Sequence, residues 1–360
     1  MAFATSYHLP DTMNSWPWPR SIHPDAEEVI AASAEWLRSF HAFKEESQRA
    51  FDKYDVALIA ALVYPFSNKE ILRIACDLFN LFFVFDLYTD AEDAEGCRKM
   101  ADAVVDALHN PRRLRPDGEA VLGEITRRFW AHAIDSGAVG RTAQRRFIDY
   151  FTAYVDSVVD EAADRDQDVY RSLDSYFEIR RETVGFRPLY ALMLQELPDE
   201  VAYHPAMVEM SVCATDMVII DNDIISYNVE QSVGDVRHNL VTVTMLERKL
   251  DIDDAVALLF GQHVALQERF QKAYHGFEPH WDPATNEQLG EALRDLANLP
   301  RGAYCWHFEG GRYFGTKGTE IGVSRRVQLL PPLLNGDRRQ DNIAIPVIDE
   351  MWGTTPQLAA

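Results

Sequence analysis

Apolar residues recur at three- and four-residue spacing along almost the whole chain, and runs alternating apolar with polar are scarce. The pattern predicts helices near residues 25–42, 45–63, 68–89, 93–109, 117–136, 140–165, 170–196, 205–231, 238–248, 252–275 and 284–313. Turn signals separate them at Pro65, Asn110-Pro111, Pro116-Asp117-Gly118, Gly137, Pro198 and Asp282-Pro283. No repeat period, low-complexity linker or shift in composition divides the chain. An all-α fold with one helical domain over residues 25–331 is the economical reading. Residues 1–24 contain SYHLPDTMNSWPWPRSIHP, rich in Pro and Trp, and read as an ordered leader strapped over the helical body. Residues 332–360, with PP and NGD turns and weak periodicity, read as a loop or partly disordered tail.

Composition narrows the partners. Of 360 residues 47% are hydrophobic, enough for a substantial core, and the formal charge of -22 argues against nucleic acid or an anionic membrane as partner. A phosphate-ester substrate would therefore need a local charge match. The four cysteines (Cys76, Cys97, Cys213, Cys305) form no CxxC pair, which suits a reduced, cytoplasmic protein without disulfides or a zinc site. No run approaches 18 apolar residues and no basic-then-apolar signal opens the chain, so neither a membrane span nor secretion is expected. HExxH, GxGxxG and GxxxxGK[ST] are absent.

Candidate chemistry gathers in the stretch MVIIDNDIISYNVEQSVGDVRHN, residues 217–239. Asn222, Ser226 and Glu230 stand four residues apart. On a helix such positions drift only about 40° per step, so the three side chains share one face over roughly 12 Å. An amide, a hydroxyl and a carboxylate make a hard-oxygen set suited to Mg2+. A second acidic stretch, NLFFVFDLYTDAED at 80–93, puts Asp86 and Asp90 on one face, with Asp93 a turn further on and no Lys or Arg in the window. Because these acids follow Phe79, Phe82, Phe83 and Phe85, a buried helix ends in unpaired carboxylates, the arrangement expected where a cation neutralises them.

The stretch YFEIRRETVGFRPLYAL at 176–192 should not hold a straight helix. Pro188 lacks an N–H and its ring would strike the carbonyl of Val184, while Gly185 lets the backbone open. Carbonyls freed there carry partial negative charge. DIDD at 251–254 fits the DxDD pattern of proton-initiated cyclases, but its place before AVALLF makes Asp251 or Asp253 a helix N-cap.

Together with WHFEGGRYFG at 306–315, these motifs carry a resemblance to class I terpene synthases, and most closely to the sesquiterpene synthases of basidiomycete fungi. The likeness covers roughly residues 8–332. The leader LPDTMNSWPWPR and the VFDLYTDAED context look like the subgroup that makes protoilludene-type and other humulyl-derived skeletons. The resemblance implies a single helical bundle around a central apolar cavity, in which three Mg2+ ions draw pyrophosphate from farnesyl diphosphate and leave a carbocation. It implies that Asp86 holds two ions and that Asn222, Ser226 and Glu230 hold the third, with Asp90 behind them. Arg181 would sense the diphosphate, and Arg312 with Tyr313 would grip it. The Gly185 carbonyl, with Val184 beside it, would face the cation. Phe83 and Trp306, then Phe79, Phe186 and Tyr304, would wall the cavity, since aromatic faces attract cations without reacting. Two positions depart from the family pattern: Leu87 where an acid usually follows the first Asp, and Val229 where many relatives have Lys.

A prenyl-chain-elongating synthase would share the scaffold but needs a second Asp-rich box where this chain has NDIISYNVE. A helical binding or scaffold protein is the non-enzymatic alternative, supported only by Leu87 and Val229. Oligomeric state is not readable from these features.

Overall fold

Helices make up nearly all the regular structure of the computed structural model, which describes residues 5–332, 343 and 345–352. They are α1 (Ala26–Arg38), α2 (Glu45–Lys53), α3 (Val56–Val63), α4 (Lys69–Thr89), α5 (Ala94–His109), α6 (Val121–Asp135), α7 (Arg141–Asp166), α8 (Leu173–Thr183) and α9 (Phe186–Leu194). The chain continues through α10 (Asp199–Ala202), α11 (Pro205–Val233), α12 (Leu240–Arg248), α13 (Ile252–Gly276), α14 (Pro283–Glu309), α15 (Gly311–Phe314), a 3-10 turn, α16 (Gly318–Ser324) and α17 (Ile348–Met351). The periodicity located most of these within a few residues. Three long helices break instead.

Residues 45–63 divide into α2 and α3 because Asp55 adopts a left-handed conformation (φ 48°), which Asp tolerates better than most residues. Residues 170–196 divide at Val184 and Gly185, where Gly185 takes φ 74° and begins α9. Pro188 then falls in the first turn of α9, where its missing N–H costs no helical bond, so the expected kink becomes a full break. Residues 284–313 divide after Glu309. Added Cβ atoms on Gly310 and Gly311 would lie 2.8 Å from the carbonyl of Tyr54 and 2.3 Å from that of Lys53, so only glycine lets α15 sit against α2.

α11 forms the centre. It is apolar on most sides, and α8, α12, α13, α14 and α15 pack around it. Its buried polar groups are largely partnered: Asp223 by Tyr176, Arg180 and the Leu240 amide, and Asp216 by Arg181. The leader lies across α11, α13 and α14. Tyr7 donates to the Ile224 carbonyl, Trp16 to that of Ala297, and Arg301 donates to the carbonyls of Met13, Trp16 and Trp18. A strand pair that the periodicity did not indicate, β1 (Ser6–His8) with β2 (Arg326–Gln328), ties the leader to the end of the helical body. Three residues per strand are too few to register as alternation. Asp251 caps α13 by accepting from the Asp254 amide. The described part of the tail is not loop throughout: Ile345, Ile348 and Met351 are buried and α17 forms one turn.

Candidate active site

Six elements bring side chains to one place. α4 supplies Asp86, with Phe79, Phe82 and Phe83 on its preceding turns; α11 supplies Asn222, Ser226 and Glu230; α8 supplies an arginine; α7 supplies Tyr154 and Glu161; α14 and α15 supply Trp306, His307, Arg312 and Tyr313. Asp86 and the α11 residues share neighbours. Tyr154 donates to Asp86 Oδ1 at 2.7 Å, and the carboxylate lies in the field of Arg312 and Arg180. Arg180 Nη2 donates to Asn222 Oδ1 at 2.9 Å, and Asn222 Nδ2 donates to the Tyr313 hydroxyl at 2.9 Å. The two oxygen-rich stretches, 136 residues apart from Asp86 to Asn222, are thus bridged by one arginine and the Arg312–Tyr313 turn.

Burial works against the charged form of these acids. It raises the Asp86 pKa, opposed by the Tyr154 hydrogen bond and by Arg312 and Arg180, and reinforced by Glu161. Burial, then Asp223 and Asp235, push Glu230 from 4.5 up to about 8 although Asn239 donates to its Oε2 at 2.9 Å. Asn239 also donates to the Asp223 carbonyl at 2.8 Å and faces Ser226 Oγ at 3.4 Å, so one amide orients two of the three α11 oxygens. Two acids, an amide and a hydroxyl form an all-oxygen set suited to Mg2+, and destabilised carboxylates are what a cation relieves. Among the described residues no cluster of three or more His, Cys, Asp or Glu could hold a metal, so Asn222 and Ser226 would be needed.

The Glu230 shift has a measurable consequence. Between about 4.5 and about 8 the folded carboxyl keeps a proton that the unfolded chain has released, so the metal-free fold loses stability as pH rises through that window. The melting temperature of metal-stripped protein should fall more steeply between about pH 5 and about pH 8 in wild type than in Glu230→Gln. Equal slopes would contradict the assignment.

The arginines differ from expectation. Arg181 points away from the α11 oxygens and forms a two-pronged pair with Asp216, at 2.7 and 2.8 Å. Its neighbour Arg180 faces inward and pairs with Asp223 at 3.3 Å. Consecutive helical residues project about 100° apart, so only one of the two can face the site. Arg312 sits in an aromatic box, its guanidinium carbon 4.5 Å from the Phe83 ring centroid, 5.5 Å from Tyr54 and 5.6 Å from Tyr313. Arg312 Nη1 and Arg180 Nε are buried donors without a partner among the described residues. Asp90 lies at the rim, half exposed, 4.0 Å from Arg165.

Phe83 also meets Trp306 edge to face at 5.4 Å, and the Trp306 indole N–H donates to the Asp55 carbonyl at 2.9 Å. One face of Phe83 is therefore taken by Arg312 rather than open to a substrate cation. Phe82, read from the sequence as part of the buried helix but not of the cavity wall, packs against Gly185, with its ring 3.5 Å from where a Cβ would stand, and stacks on Phe151. Phe79 and Phe186 are buried in the same core. Tyr304 lies further off, pairing through its hydroxyl with Arg325. Glu161, Tyr154, Asn239 and His307 also escaped the sequence reading. Glu161 accepts from Thr183 at 2.7 Å and acts on both Asp86 and Arg180. Burial lowers the His307 pKa to about 4, and its Nε2 is 3.4 Å from Asn222 Nδ2.

Comparisons with known proteins bear on the family and the fold. The family model described as terpene synthase family 2, C-terminal metal binding, matches residues 77–269. Delta(6)-protoilludene synthase 18 of Postia placenta is 50% identical over 326 residues, covering 90% of this chain and 92% of that protein. Sesquiterpene synthase 14 of the same fungus is 44% identical over 345 residues, covering 95% and 97%. The crystal structure of α-eudesmol synthase superposes with a TM-score of 0.72 at 20% identity, over 82% of this chain and 98% of that one, a likeness of fold.

Proposed function

The chain belongs to the terpene synthase family, and from that premise we propose that it is a Mg2+-dependent sesquiterpene cyclase acting on farnesyl diphosphate. Closure between C1 and C11 to a humulyl cation, with further cyclisation toward a protoilludene-type skeleton, is the route that its similarity to proteins named Delta(6)-protoilludene synthase supports. The observation that carries the reading is a pair of arginines, each with a buried donor that has no partner among the described residues, Arg180 Nε and Arg312 Nη1, flanking Asp86 and Asn222. Buried donors of this kind suit an anionic group bound between them.

In this reading Asp86 would hold two ions, and Asn222, Ser226 and Glu230 would hold a third. Bound Mg2+ supplies Lewis-acid pull on the leaving diphosphate. Arg180 takes the sensing role expected of Arg181, and Arg312 binds diphosphate oxygens while its stem is fixed by Tyr54 and Phe83. Tyr313 accepts from Asn222, which leaves its own proton for a phosphate oxygen. Phe79, Phe82, Phe186 and Trp306 provide inert aromatic faces along the cation's path, with the backbone at Val184 and Gly185 opposite Phe82. Leu87 is tolerated because Glu161 supplies a second acid beside Asp86. Unpaired cysteines suit a cytoplasmic enzyme, and among the described residues no helix is long and apolar enough to cross a membrane.

Incubation with farnesyl diphosphate and Mg2+, followed by analysis of volatile products, should yield a cyclic C15 hydrocarbon. Longer prenyl diphosphates on addition of isopentenyl diphosphate, or no turnover, would contradict the proposal.

A further inference from the structure

The turn bearing Arg312 and Tyr313 buries Tyr313 and Phe314 in the main core on its inner side, while its outer side is rich in glycine. Gly310, Gly311, Gly315 and Gly318 punctuate it, and Gly315 sits at φ 54°. What holds its outer side is the C-terminal segment. Asp349 Oδ1 accepts from the Thr316 amide and from the Thr316 hydroxyl, both at 2.8 Å. A Cβ on Gly315 would lie 2.3 Å from the same oxygen, so the carboxylate is seated where only glycine admits it. Trp352 donates to the Phe314 carbonyl at 3.3 Å, and Lys317 lies 4.6 Å over the Trp352 ring. Tyr54, whose ring faces Arg312, donates its hydroxyl to the Pro346 carbonyl at 3.1 Å.

The same segment reaches the metal-binding helix. Ile348 and Met351 form a small apolar cluster with Leu330, and Val229 packs against it. Val229 immediately precedes Glu230 on α11. An ammonium there would face apolar side chains, so the valine is explained as the seat of the tail. Turn and tail are not packed solid: a cleft of about 550 Å³, lined by Tyr54, Gly311, Thr316, Pro346 and Asp349 among others, remains between them. On this outer side the turn is therefore held by a few hydrogen bonds rather than by filled core.

We propose that Ile345–Trp352 is a clasp joining the Arg312–Tyr313 turn to the end of α11, and that Asp349 is its positioning residue, acting through Thr316. The clasp sets how well Arg312 and Tyr313 meet the diphosphate. This rests on the reading above that these two residues bind it.

The test uses the full chain with Asp349→Ala, Asp349→Asn and Val229→Lys. Amide hydrogen exchange over residues 312–317 is measured without ligand, and binding of inorganic pyrophosphate with Mg2+ is measured by calorimetry. Two hydrogen bonds to an ionised acceptor are lost in Asp349→Ala, so exchange should quicken and pyrophosphate affinity should fall about tenfold. Asp349→Asn keeps an oxygen acceptor for Thr316 and should stay within about twofold. Val229→Lys should loosen the turn as Asp349→Ala does, not tighten pyrophosphate binding. Unchanged exchange in Asp349→Ala, or faster exchange with unchanged affinity, would overturn the role, as would tighter binding by Val229→Lys. A wild-type protein that binds no pyrophosphate with Mg2+ would instead remove the diphosphate reading, and this role with it, whatever the exchange pattern.

Discussion

Asp86→Asn abolishes cyclisation while leaving the metal-free protein at least as stable as wild type. Both halves follow from the surroundings of the carboxylate. Burial raises its pKa, so the ionised group is held at a cost that Tyr154, Arg312 and Arg180 only partly offset. Asparagine keeps an oxygen for the Tyr154 hydroxyl and removes the charge. The cost disappears, and with it the negative group that would hold two of the ions. Loss of leaving-group stabilisation of this kind lowers turnover by at least about a thousandfold. Glu230→Gln should behave alike, since its carboxyl is pushed up to about 8 and glutamine can still accept from Asn239. A gain in melting temperature together with lost turnover is the signature of a group kept for function. An Asp86→Asn protein with wild-type turnover would take Asp86 out of the metal role, and one that unfolds would make it structural.

The second large effect separates two adjacent arginines. Arg180→Lys should lower kcat/KM by about a hundredfold or more, because an ammonium can replace Nη2 toward Asn222 and Asp223 but not the Nε–H donor left over for an anion. Arg181→Lys should stay within about threefold in kcat/KM. Its pair is with the buried Asp216, which a lysine ammonium can still reach, so the change touches stability rather than any site residue. Steady-state kinetics beside thermal melting decides the matter. The reverse ranking, with both variants folded, would return the sensing role to Arg181.

How far the sequence reaches differs from residue to residue. Asn222, Ser226 and Glu230 are legible because four-residue spacing settles a shared helical face whatever the tertiary context. Asp86 is legible because four phenylalanines over the two preceding turns force its helix into the core. The choice between Arg180 and Arg181 depends on how α8 is rotated against α11, and helical periodicity within α8 does not fix that rotation. A clue existed on the partner: Asp216 and Asp223 are seven residues apart on one face of α11, and each takes one of the arginines. Glu161 and Asn239 act across α7 and the start of α12, through contacts that no local spacing encodes. The tail escaped for a different reason. Its docking rests on one carboxylate and a few apolar side chains, too short a signal to stand out beside PP and NGD turns.

The central claim is that Asp86 and the trio on α11 hold cations jointly around one diphosphate. Counting bound Mn2+ by electron paramagnetic resonance, with inorganic pyrophosphate present, tests it most directly. Wild type should bind three ions, Glu230→Gln should lose one and Asp86→Asn should lose two. Full occupancy retained by both variants would show that the ions sit elsewhere and that these two patches do not share a substrate.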